Sequence, residues 1–278
     1  MKKIVSFTST DGLLLHGLYF NSGFDKSVIH VHGLAGNFYS STYHKQLAKI
    51  YRKMRYNYLS FNNRGSEYIK QLKNIQTEKS EFYGYSFELF DQSDRDILGA
   101  IEFLKDNGIK KYILQGHSSG CQKIIYTVVK HRLKTEKIIL LSPCDDVGLA
   151  IDNYSLSIFK KKIKEAQDTT SIFLSQNFFF NLPLAPATFL SHFGPDNQFD
   201  IFHYYRPLDA FEKLKLNTNP TLVVFGEKDY VINFNTVKDI YKKFDNYQLF
   251  IIPNSDHKYH TFEKELAKII FDYVHKSN

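Results

Sequence analysis

Apolar residues recur along this chain with two alternating spacings, and the switches between them lay out the architecture. Ile4 to Phe7 and Leu13 to Phe20 are short apolar-rich stretches on either side of Asp11-Gly12, which predicts a hairpin. Ser27 to His32 reads as a short strand ending at Gly33, and a helical pattern follows from about Ser40 to Met54. Next come a strand at Tyr56 to Phe61 and a helix from about Ser93 to Lys105, ended by Asn107-Gly108. The strand Lys111 to Gln115 leads into a helix whose apolar face is Cys121, Ile124, Ile125, Val128 and Val129. The strand Lys137 to Leu141 stops at Ser142-Pro143.

After Pro143 the rhythm changes. Roughly 75 residues pass before the next clear strand, Thr221 to Phe225, where a simple crossover needs far fewer. A helical run near Val237 to Phe244, a strand from Gln248 to Ile252 and a helix from Thr261 to His275 complete the pattern. Strands alternating with helices after an opening hairpin predict an α/β fold with a mostly parallel sheet covered on both faces. Residues 1–143 and 220–278 are expected to form the core domain, with 144–219 inserted as a helical cap.

Composition narrows the class. The 278 residues are 43% hydrophobic and 23% charged, which suits a chain with a real core and excludes a disordered one. The formal net charge of +7 raises the question of an acidic partner. Its densest basic run, Lys160-Lys161-Lys162-Ile163-Lys164, is helix-compatible, and other basic residues are scattered among acids. That distribution reads as a solvated surface, and no nucleic-acid-binding signature accompanies it. With only Cys121 and Cys144, a disulfide framework is excluded and a reducing compartment fits. Met1-Lys2-Lys3 imitates the start of a signal peptide, but the apolar stretch ends at Thr8-Ser9-Thr10-Asp11, and no run long enough to span a membrane follows. A cytoplasmic location is the expectation.

The strongest motif is Gly116-His117-Ser118-Ser119-Gly120, a G-x-S-x-G between a predicted strand and a predicted helix. In that setting it makes a tight elbow that lifts the Ser118 hydroxyl above the sheet, with the helix N-terminus aimed at the charge that develops in acyl transfer. A serine hydroxyl needs a base to remove its proton. Of the eleven histidines, His257 follows the last strand, in Pro253-Asn254-Ser255-Asp256-His257, and His260 is the runner-up. The orienting acid is expected after the preceding strand, where Phe225-Gly226-Glu227-Lys228-Asp229 places Asp229 beyond the strand tip. Glu227 and Asp256 read as solvated loop charges. Two backbone N–H groups are expected to receive the oxyanion, that of Ser119 and that of Leu34 in His32-Gly33-Leu34-Ala35-Gly36.

Together, the hairpin, the His32-Gly33 loop, Arg64-Gly65, the elbow, Asp229 and His257 resemble the α/β-hydrolase superfamily, over nearly the whole chain except the cap. The resemblance implies a sheet of about eight strands with its first antiparallel pair at one edge, and it implies no cofactor. It is specific for fold and triad but not for a substrate. One departure is Asn62-Asn63-Arg64-Gly65, where many relatives carry an aspartate before Arg-Gly. That variant is similar to a branch that includes fungal siderophore esterases, and it assigns no substrate.

The expected activity is therefore a carboxylesterase-like serine hydrolase, with acyltransferase, thioesterase and amidase chemistry open on the same triad. Two rivals are weighed against it. His30-Val31-His32 places two rings on one strand face, as a metal-dependent hydrolase would, but Leu34 and Ala35 stand where further ligands belong. A non-catalytic ligand-binding protein on the same fold would be expected to lose a triad residue, and all three positions have occupants. Ile172-Phe173-Leu174, Phe178-Phe179-Phe180, Leu182, Leu184, Phe189-Leu190 and Phe193 are expected mostly as the cap's own core or its seat on the main domain. Yet a cap over the elbow also roofs a mostly apolar pocket, which predicts a small or medium, uncharged or apolar acyl or aromatic ester as partner. Pro183, Pro186 and Gly194-Pro195 break that segment into pieces consistent with a lid. Oligomeric state is not legible.

Overall fold

The opening hairpin forms the edge of the main sheet. In a computed structural model of the chain, which describes residues 1–40, 43–174, 182–205, 211–230 and 234–275 (for 234–236 the backbone alone), β1 (Lys2–Thr8) runs antiparallel to β2 (Leu14–Phe20). Gly12 makes the turn at φ +90°, a conformation that side chains resist. β3 (Lys26–Val31), β4 (Asn57–Phe61), β7 (Lys111–His117), β8 (Lys137–Leu141), β9 (Thr221–Gly226) and β10 (Tyr247–Ile252) complete an eight-stranded sheet. Its order is β1-β2-β4-β3-β7-β8-β9-β10, with β2 antiparallel to β4 and every later pairing parallel.

Side chains alternate across this sheet, so consecutive residues enter opposite cores. Ile138, Leu140, Val223 and Phe225 join a cluster with α2 (Ser93–Asp106) and α3 (Ser119–His131). Ile139, Leu141, Leu222 and Val224 join one with α1 (Tyr43–Lys53) and α8 (Glu263–His275). Burial on both faces accounts for the near-continuous apolar runs of the central strands. Each fully buried Ile or Leu contributes about 1.5–3 kcal/mol relative to an exposed one.

Two features depart from the expected pattern. A small hairpin of β5 (Lys70–Lys73) and β6 (Ser80–Tyr83) lies outside the main sheet. Within it Leu72 alone is buried, so no apolar alternation marks it in the sequence. β7 also runs two residues past its expected end, to His117, and delivers Ser118 directly to α3.

Between β8 and β9 stand α4 (Asp146–Asp168), interrupted at Ser155 with φ +67°, α5 (Pro186–Phe193) and the short α6 (Glu212–Leu216). α7 (Phe234–Tyr241) follows β9. Phe189, Phe193, Phe199, Ile201 and Phe202 belong to the same apolar cluster as Phe90, Ile124 and Ile125. The Phe90 and Phe199 rings meet edge to face at 5.0 Å. Among its described residues the insert thus packs into the main core. Phe178, Phe179 and Phe180 lie outside the described residues. No helix among the described residues is long and apolar enough to cross a membrane.

Candidate active site

Ser118 is the single residue between β7 and α3, and it takes φ +54°, ψ −130°. For a side-chain-bearing residue that backbone costs on the order of 1–3 kcal/mol, so its surroundings must hold it. The Ser118 N–H donates to the Leu141 carbonyl at 2.9 Å, and the Ser118 carbonyl accepts from the Cys121 N–H at 2.9 Å. Neighbouring backbone comes unusually close. A Cβ on Gly120 would lie 2.2 Å from the Val31 carbonyl oxygen, and one on Gly33 would lie 2.7 Å from the Ser118 Cβ. Glycine at both positions lets α3 and the loop after β3 close on the serine.

That loop turns tightly, with the Gly36 N–H donating to the Gly33 carbonyl at 3.1 Å and Ala35 at φ +48°. None of the turn and cap hydrogen bonds among the described residues takes the N–H of Leu34 or of Ser119. His32 anchors the loop. Its Nε2 accepts from the Asn63 N–H at 3.1 Å, which leaves Nδ1 to donate to the Gly33 carbonyl at 2.8 Å. Burial, reinforced by nearby Lys123, holds this imidazole well below the usual histidine range, so it stays neutral.

Behind His32 lies a polar network that the sequence did not announce. The Asn63 Oδ1 accepts from the Gly65 N–H at 3.0 Å and from Lys123 Nζ at 3.2 Å. Lys123 is ion-paired with Glu88, and both side chains are buried. Arg64, fully buried, donates from Nε and Nη2 to Asp96 Oδ1 at 3.0 and 2.8 Å, and from Nη2 to Asp11 Oδ1 at 2.9 Å. Asn63 and Arg64 thus brace the floor of the site from inside the fold. His30 serves packing as well. Its Nδ1 accepts from Gln115 Nε2 at 2.7 Å, and burial holds it neutral.

His257 and Asp229 meet across the tips of β9 and β10. His257 Nδ1 lies 2.9 and 3.0 Å from the two Asp229 carboxylate oxygens, and both residues are buried. The Asp229 N–H donates to the Gly226 carbonyl at 3.1 Å, the turn that carries the carboxylate past the strand tip. His117, the second residue of the elbow, fixes the other partner. Its Nε2 donates to the His257 carbonyl at 2.9 Å, and the two rings stand 4.9 Å apart. Burial, then the neighbouring His257, pushes His117 down to about 3, so it remains an uncharged donor.

His260 does not share this arrangement. It is exposed and pairs with Asp256, Nδ1 to Oδ2 at 2.6 Å, while Glu227 accepts from the Asn254 N–H at 2.9 Å. Asp256 and Glu227, expected as solvated charges, are therefore loop-forming acceptors.

Ser118, His257 and His260 open onto one cavity of about 480 Å³. The Ser118 Oγ lies 3.4 Å from the Cys144 Sγ, and no hydrogen bond joins it to His257 among the described residues. Catalytic contacts commonly close only with substrate bound. Of the insert's apolar residues named in the sequence and lying among the described ones, Leu182 reaches this cavity, while Phe189 and Phe193 are buried in the core, the place expected for most of that segment. The remaining wall is largely polar, and it includes Tyr43, Tyr68, Tyr230, Asp146 and Lys258.

A family profile described as "Protein of unknown function (DUF1749)" matches residues 19–276. No curated protein matches the sequence. Among solved structures, the siderophore hydrolase EstB from Aspergillus fumigatus superposes with a TM-score of 0.70 at 16% identity, covering 100% of this chain and 99% of that one. Est1E from Butyrivibrio proteoclasticus with ferulic acid bound gives 0.68 at 15% identity, covering 97% of each chain. The Pyrococcus furiosus esterase Pf2001 gives 0.66 at 19% identity, covering 99% of this chain and 90% of that one. These likenesses establish the α/β-hydrolase fold.

Proposed function

The chain belongs to the DUF1749 family, and we propose that it is a serine hydrolase of small-molecule esters working through Ser118, His257 and Asp229. The observation that carries this reading is the placement of Ser118, on a positive-φ elbow, in one cavity with a histidine whose Nδ1 is already bound by a buried carboxylate. Ester chemistry is favoured because the similar structures include proteins described as esterases and as a siderophore hydrolase.

In this reading Ser118 Oγ attacks the ester carbonyl carbon as its proton passes to His257 Nε2. Asp229 keeps Nδ1 protonated and stabilises the imidazolium that forms. The carbonyl oxygen becomes an oxyanion and takes the free N–H groups of Leu34 and Ser119. Collapse expels the alcohol, which receives the proton from His257, and water then releases the acid from Ser118 by the same steps in reverse order. From the inserted residues 144–219, the described Cys144, Asp146 and Leu182 supply part of the cavity wall.

An activated ester mixed with the enzyme should release a burst of about one leaving group per chain before steady turnover, with or without a chelator. A rate abolished by the chelator, or turnover without an acyl adduct on Ser118 by mass spectrometry, would reject the reading. A second result assigns the base. His257→Ala should lower kcat by about three or more orders of magnitude. His260→Ala should change it by less than about threefold, since that ring is exposed and has its own carboxylate. The reverse outcome would transfer the role to His260.

A further inference from the structure

The deep wall of the cavity carries an acid that the proposed mechanism leaves unused. Asp146 opens α4 two residues after Cys144, is buried, and lines the same cavity as Ser118, Cys144 and His257. Gln122, on the first turn of α3, fixes its position. Gln122 Nε2 donates to Asp146 Oδ2 at 2.8 Å and to the Cys144 carbonyl at 2.9 Å. Among the described residues no Lys, Arg or His is ion-paired with Asp146, in contrast to the buried Glu88 and Asp96 with their cations.

Among the described residues, the groups around it are mostly acidic or neutral. Asp145, which caps α4 by accepting from the Gly148 N–H, precedes it, and Asp200 contributes a second negative charge. Cys144 and Tyr230, both at the cavity, are uncharged near neutral pH, with burial raising each. His257 faces Asp146 as well but is held by Asp229. Burial first, and then Asp145, raise the Asp146 carboxyl to about 7. Such a group is under-solvated, and its most favourable partner is a cation that also donates hydrogen bonds. Lys258, exposed at the cavity, opposes a cation only weakly, because water and salt screen it.

We propose that Asp146 is a specificity residue of this pocket, and that the preferred ester carries a protonated primary amine close to the scissile bond, bound ammonium to carboxylate. The inference rests on the serine-hydrolase reading for the identity of the ester but not for the binding of the amine. The proposal departs from the uncharged substrate expected from the sequence, because among the described residues the wall beside the serine carries Asp146, Tyr43 and Tyr230.

The test uses the Ser118→Ala protein, so that esters bind without turning over. Titration calorimetry compares an ester bearing a primary amine two or three carbons from the carbonyl with its N-acetylated counterpart. The amine ester should bind about tenfold or more tightly, the scale of a charge-assisted hydrogen bond. Adding Asp146→Asn should bring the two affinities within about twofold, because the isosteric amide still accepts from Gln122 but offers no charge. Equal affinities in Ser118→Ala, tighter binding of the acetylated ester, no measurable binding of the amine ester to about 10 mM, or a preference that survives Asp146→Asn would each overturn the proposal. The comparison within Ser118→Ala alone decides the matter if the double variant does not fold. Loss of turnover on replacing Ser118, measured separately, bears on the serine-hydrolase reading alone.

Discussion

Ser118→Ala is expected to reduce kcat about 10⁴- to 10⁶-fold while the protein remains folded, with a melting temperature close to that of the parent. Stability should be spared because the hydroxyl makes one long contact, to Cys144 Sγ at 3.4 Å, whereas the strained backbone is held by the Leu141 carbonyl and the Cys121 N–H. Alanine at φ +54° is no more strained than serine, and the Gly33 and Gly120 contacts are unchanged. Ser119→Ala is the matched control. Only its N–H enters the proposed chemistry, so kcat should fall by less than about tenfold. Single-turnover and steady-state rates with one activated ester decide between these outcomes. A folded Ser118→Ala protein retaining a tenth of the parent rate would remove the nucleophile from its assigned place.

The largest effect on stability is expected at Arg64. Its guanidinium is fully buried and donates to Asp96, Asp11 and the Gln92 side-chain Oε1, so Arg64→Met strands the Asp96 carboxylate without a cation. Breaking such a pair typically costs about 3–5 kcal/mol, which for a chain of this size lowers Tm by on the order of 10 °C. Arg95 donates to the same Asp11 at 2.9 Å but is only half-buried, so water screens the pair, and Arg95→Ala should cost less than about 1 kcal/mol. Acid sensitivity carries a second signature. Burial pushes the Asp11 carboxyl up, but hydrogen bonds from Arg64 and Ser9 and the Arg64 charge outweigh it and bring the group down to about 2. A depressed carboxylate adds stability that is complete above its unfolded value near 4 and fades as pH falls toward 2. Thermal melts between about pH 5 and pH 2 should therefore show a smaller pH slope in Arg64→Met than in the parent. Equal slopes would mean that Arg64 does not hold Asp11.

The sheet and the contact between His257 and Asp229 were legible because they depend on local patterns and chain order. The elbow is five consecutive residues, and the strands announce themselves as apolar runs bounded by turn residues. The polar network was not legible. Gln122 and Lys123 look like the solvent face of α3, opposite Ile124 and Ile125, yet both are buried because that side of the helix is covered as well. Nothing in a sequence window says which face a distant insert will cover. Glu88 sits in a stretch without regular structure, and only its meeting with Lys123, 35 positions away, gives it meaning. Asp146 was hidden differently, since its role comes from the break after β8 that turns the chain back toward Ser118. Apolar segments of the insert fit either a pocket roof or a core by sequence alone, and it is α5 that turns Phe189 and Phe193 inward.

Phe189, Phe193 and Phe199 complete the same apolar cluster as Phe90 and Ile124, so the insert does not behave as a detachable module. Grafting it from a relative exchanges a share of the hydrophobic interior along with Leu182 and the Asp146 wall. Substrate preference and thermal tolerance in such chimeras are then inherited together, and a change in one travels with a change in the other.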